Sequence, residues 1–146
     1  MPEPWKWQFL GFRSDAEGRP VQSWFDYLPE NDRYEIVDLL NTLANVTNSL
    51  WRRPEFDPLE GAGGISEIRV PPIRSESGCI TYRIYGYFGP GNREYCFLHG
   101  TDKKEKNDKE GKAIARNRLD ELKSGKAAVH KFAFEKNIVV EITKRT

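Results

Sequence analysis

The sequence predicts an α+β domain. A small antiparallel sheet carries two N-terminal helices and a C-terminal helix on one face, with an extra strand near the C-terminus. Three observations carry this. Residues 64–70, 79–88 and 93–100 read as strands, two of them divided by the turn signal Gly89-Pro90-Gly91-Asn92. Ile36, Leu39, Leu40 and Leu43 recur at i, i+3, i+4 and i+7, one apolar helical stripe. Ala115, Leu119 and Leu122 form a second such stripe within residues 109–123.

In chain order, Trp5, Trp7 and Phe9 alternate on one face of a first strand. Ser14 to Pro20 is a turn, and Val21 to Leu28 a short helical segment. Pro29 suits the first turn of the next helix, where Glu30 and Asp32 favour its positive end. Thr47 to Gly64 is a Pro- and Gly-rich link. The hairpin turn pairs residue 88 with 93, and hence 85 with 96. At roughly 3.3 Å per strand residue, Cys79 then lies too far from Cys96 for a disulfide, which needs Cα atoms within about 7 Å. Asp108 can cap the 109–123 helix and Gly125 can end it. Residues 136–144 read as a tail strand, with Ile138, Val140 and Ile142 on one side.

The chain has 146 residues, 38% hydrophobic and 31% charged, which fits one folded domain and excludes a disordered chain. No apolar run approaches a membrane span, and the N-terminus lacks the pattern of a signal peptide, so the expected compartment is the cytoplasm. Two cysteines and two distant histidines show no metal-ligand spacing, and no cofactor is expected. The net charge is +1, unevenly spread. Residues 1–65 hold six Lys/Arg against eleven Asp/Glu, and residues 66–118 hold eleven against seven. A basic second half is compatible with nucleic acid, and equally with a solvated surface.

Strand alternation places Ile80, Tyr82, Ile84 and Phe88 toward the core. It places Glu67, Arg69, Arg83 and Tyr85 on the other, open face. An arginine inside an apolar strand needs a partner. For Arg83 that is either a structural ion pair with Glu67 or a C-terminal carboxylate, or a substrate phosphate, whose geometry guanidinium matches.

At these residues the chain resembles the RelE/HigB superfamily of bacterial toxins, in particular its phage-derived HigB-like subgroup. The motifs are Gly64-Ile65-Ser66-Glu67-Ile68-Arg69-Val70, Tyr82-Arg83-Ile84-Tyr85, and Leu98-His99-Gly100 followed by Lys103-Lys104. An Ala/Arg/Leu helix from Ala113 to Leu122 follows. Residues 1–124 would be the RelE/HigB-like domain and 125–146 an extension packed on it. The chain departs from the subgroup after the paired lysines, where Glu105-Lys106-Asn107-Asp108 replaces Thr-x-Lys-Thr-Pro.

The resemblance implies a type II toxin that cuts mRNA in the ribosome without a metal, held in check by a helix-turn-helix DNA-binding antitoxin. It implies roles for Arg83 and Arg69 on phosphate, Glu67 as base, His99 as acid, and Tyr85 stacking on a base or donating a proton. Lys103, Lys104 and Lys106 would hold RNA. Each has a structural alternative: ion pairs for the charged residues, a backbone hydrogen bond for His99, a solvated helix start for the lysines. Two rival functions are a ParE-like toxin that inhibits DNA gyrase by binding, and a non-catalytic phage interaction module.

Overall fold

The computed structural model describes residues 6–46, 51, 55–59, 63–75, 78–102 and 108–134. In chain order the elements are β1 (Gln8–Arg13), α1 (Pro20–Asp26), α2 (Glu30–Ala44), β2 (Phe56–Pro58), β3 (Ser66–Arg69), β4 (Ile73–Ser75), β5 (Gly78–Ile80), β6 (Arg83–Phe88), β7 (Glu94–Thr101), α3 (Lys109–Lys123) and β8 (Ala128–Lys131). The main sheet has six strands in the order β2-β3-β6-β7-β1-β8, and β4 and β5 form a separate hairpin. The α+β class and the mostly antiparallel sheet are as expected. No described helix is long and apolar enough to cross a membrane.

Four features differ from expectation. The run 79–88 is divided between β5 and β6, and Pro71-Pro72 ends β3 by removing two backbone donors. The first strand, β1, runs parallel to β7, so the sheet is mixed. A strand not read from the sequence, β8, pairs with β1 at the sheet edge. Gly11 makes this possible: a Cβ there would stand 2.6 Å from Nε2 of His130. The expected tail strand at 136–144 lies outside the described residues.

The fourth difference concerns the helices. α1 and α2 cover one face, where Val21, Phe25, Ile36, Leu40 and Leu43 pack with Phe9, Ile68, Ile84, Tyr95 and Phe97. Two indole N–H groups close the end of α2: Trp51 donates to the carbonyl of Leu43 at 2.7 Å and Trp7 to that of Val46 at 3.0 Å. Buried Asp32 accepts from the Tyr82 hydroxyl, tying the first turn of α2 to the start of β6.

α3, expected on that same face, lies on the opposite one. Its Ala115 and Leu119 pack with Leu10, Ile65, Tyr85, Cys96 and Leu98. The physical reason is that β1, β6 and β7 carry apolar side chains on both faces, so a second layer is needed to remove the other set from water. The expected open face is therefore half covered.

Candidate functional site

The sheet register brings the predicted residues together in two adjacent rows. Asp57 on β2 pairs with Glu67 on β3, Glu67 with Tyr85 on β6, and Tyr85 with His99 on β7. One step along, Arg69 pairs with Arg83, and Arg83 with Thr101. The hairpin pairs Phe88 with Tyr95 and Tyr87 with Cys96, two residues away from the expected register. A bulge then shifts it by one more: Gly86 opposes Phe97, but Tyr85 opposes His99.

That bulge decides where His99 points. Strict alternation from Tyr95 and Phe97 would send His99 into the α1/α2 face. The extra residue, Leu98, turns His99 onto the face of Tyr85, whose ring lies 6.2 Å away and nearly parallel.

An ionic cluster joins the two rows. Glu67, only 2% exposed, accepts from Arg69 Nε at 3.2 Å. Arg83 Nε lies 3.3 Å from the same carboxylate oxygen. That contact is ionic without hydrogen-bond geometry: the buried Nε–H of Arg83 finds no acceptor among the described residues. Arg69 also pairs with Asp57 at 3.5 Å. The hydrogen bond to Glu67, opposed by desolvation and helped by the charges of Glu67 and Asp57, raises the Arg69 pKa above its ordinary value. The side chain of Arg69 is 39% exposed and that of Arg83 is 13% exposed. The structural alternative for Arg83, pairing with Glu67, is thus present in the fold. It leaves the Arg69 side chain partly open and the Arg83 side chain largely enclosed on the same face.

Tyr85 is fully buried and its hydroxyl donates to Asp108 Oδ2 at 3.1 Å. Burial first, then the charges of Glu67 and Asp108, push its pKa up, so it stays a neutral phenol. A ring so enclosed does not stack on a base in this conformation. His99 and the two arginines form the accessible part of the site, with Glu67 and Tyr85 beneath them. Lys103, Lys104 and Lys106 lie outside the described residues.

Two contributors were not read from the sequence. Asp108 was expected only as a cap; it does cap α3 through Gly111 N at 2.9 Å, and its other oxygen holds Tyr85. Arg118 reaches from α3 to the carbonyl of Leu98 at 2.8 Å and to Nδ1 of His99 at 3.4 Å. Its signal was its place beside Leu119, where the helix faces the sheet.

A family model described as "Phage derived protein Gp49-like (DUF891)" matches residues 23–120. The chain belongs to the Gp49-like family. In the broad sense this is a RelE/HigB-like family of toxins from toxin–antitoxin systems, and membership implies an antitoxin partner. No curated protein and no solved structure matches this Gp49-like chain. The matched region runs from within α1 into α3 and contains every residue of the two rows. It leaves out β1 and β8, the two strands that extend the sheet past β7.

Asp108 gives a direct test of how α3 is tied to this site. Asp108→Ala removes a helix cap, at about 1 kcal/mol. It also leaves the buried Tyr85 hydroxyl without its acceptor, at about 1 kcal/mol or more. The expected loss in urea unfolding is about 2 kcal/mol for the pair of effects. Adding Tyr85→Phe to Asp108→Ala should return part of it.

Proposed function

We propose that this Gp49-like toxin is a HigB-like endoribonuclease that cuts mRNA on the ribosome. The observation that carries the reading is the convergence of Arg69, Arg83 and His99 on one partly open face.

RNA brings its own nucleophile, the 2′-hydroxyl. Its oxygen attacks phosphorus as its proton passes to solvent, the bond to the 5′-oxygen breaks, and that oxygen takes up a proton from solvent, so the products are a cyclic phosphate and a 5′-hydroxyl. The largest requirement is stabilisation of the negative charge that builds up on the phosphorane. Arg83 and Arg69 supply it, since guanidinium forks match phosphoryl oxygens. Glu67 holds the two guanidiniums at a fixed spacing before substrate arrives, and Tyr85 supports His99 from below. His99 serves the departing 5′-oxygen as hydrogen-bond donor. Lys103, Lys104 and Lys106 add positive charge next in the chain after Asp102, suited to the RNA backbone.

Tightly controlled induction in a bacterial culture, with transcript ends mapped and gyrase supercoiling assayed on purified protein, tests this. The expected result is growth arrest with new cuts inside translated messages and normal supercoiling. Arrest without cuts, together with inhibited supercoiling, would replace the nuclease by a gyrase-binding toxin. Harmless expression of folded protein would leave a binding module.

A further inference from the structure

We infer that Arg118 is a positioning residue for His99. It fixes the imidazole as a hydrogen-bond donor through Nε2. This rests on the nuclease reading above and names a part of that site outside the sheet.

The argument begins with the bulge. His99 reaches the Arg83 face only because Leu98 is an extra residue in β7. A bulge disrupts the ladder locally and leaves backbone groups to be satisfied elsewhere. The Leu98 carbonyl takes its hydrogen bond from Arg118 Nη1 at 2.8 Å. The same nitrogen stands 3.4 Å from Nδ1 of His99. One guanidinium nitrogen therefore holds both the bulge and the ring that the bulge redirects.

Arg118 is itself held on two further sides. Its Nε donates to Glu17 at 2.9 Å, a residue of the turn after β1. Its guanidinium carbon lies 5.5 Å from the centroid of the Phe12 ring. The side chain is 12% exposed. So fixed a fork loses little freedom on binding and does not drift between partners.

The tautomer follows from the chemistry of the two groups. A guanidinium N–H can only donate. While the contact stands, Nδ1 must accept, and the hydrogen of the neutral ring sits on Nε2. His99 thus carries its hydrogen on Nε2, the property needed beside a phosphoryl or departing oxygen that gains negative charge. No proton transfer is required of it.

Nitrogen-15 NMR of the full-length protein and cleavage kinetics on programmed ribosomes test the inference together. The chain has only two histidines, so a His130→Asn variant identifies the His99 signals. The expected wild-type spectrum has His99 with Nδ1 unprotonated and Nε2 protonated. In Arg118→Met both tautomers appear, and the cutting rate at saturating ribosomes falls by up to about 100-fold, with ribosome binding unchanged. Glu17→Ala, an exposed change that only loosens Arg118, moves both readouts in the same direction by less; it serves if Arg118→Met fails to fold. Unchanged His99 nitrogens in cutting-competent variants would overturn the positioning role and leave the nuclease standing. A wild-type protein with the expected tautomer that cuts nothing would overturn the nuclease, and with it the catalytic purpose of the contact.

Discussion

Replacing Arg83 with alanine is expected to lower message cleavage by about 10²–10³-fold, the usual effect of removing one preorganised donor to a transition-state oxyanion, and to abolish growth arrest. The same change disturbs the fold, because Glu67 is buried and shared between two arginines. Arg69 stays on Glu67 after the substitution, so the stability loss should remain near 2 kcal/mol, below the roughly 3–5 kcal/mol of an uncompensated buried charge. Glu67→Ala is the more damaging partner for stability. It strands Arg83, whose ionic contact among the described residues is Glu67, and about 3–5 kcal/mol should be lost.

A double replacement separates the two effects. Glu67→Leu with Arg83→Met substitutes an apolar pair of similar length for the ion pair. Such exchanges are often neutral or stabilising. The expected outcome is a melting temperature close to wild type and no cleavage. That result would mean the pair is kept for the phosphate and not for the fold. Recovery of cutting in the double variant would remove Arg83 from the chemistry.

Gly86→Ala is expected to cost about 3 kcal/mol, the upper end of ordinary overpacking, and to lower the melting temperature by about 10 °C. A Cβ at Gly86 would stand 2.5 Å from the Cys96 carbonyl oxygen and 2.5 Å from the Tyr95 ring. Neither can yield easily. The carbonyl belongs to the β6–β7 ladder, and Tyr95 is fully buried with its hydroxyl 2.8 Å from that of Ser66. Gly86 also stands at the bulge, opposite the last residue before the register shifts. Relief by sliding β7 would turn His99 away from Tyr85, so cleavage should fall with stability. Gly100→Ala tests the neighbouring strand. Its Cβ would stand 2.3 Å from the ring of Trp24, which packs edge-on against Tyr82, so a melting experiment should show a loss of similar size.

The helices were largely legible in the sequence. The stripe of α2 and the cap and stripe of α3 are local signals, carried by residues three and four apart and by Asp108 at the entrance. The sorting of Glu67, Arg69, Arg83 and Tyr85 onto one face was legible too, because within an unbroken strand alternation needs no partner. His99 was named as a site residue, but its direction was not available from alternation, which points it the wrong way.

Several features required the folded molecule. The parallel pairing of β1 with β7, the edge strand β8 and the crossing of α3 to the far face all join residues distant in sequence. No local pattern encodes which of two apolar faces a helix will cover. The bulge at Leu98 depends on where two strands are held relative to each other, and Arg118 acquires its meaning only once α3 lies across that bulge. The amino-acid sequence by itself determined which side chains could handle a phosphate and the periodicities that arrange them within each element. Only the tertiary structure decided that Arg69, Arg83 and His99 share one half-covered face, because register and layer order are set by long-range burial and by satisfaction of backbone hydrogen bonds.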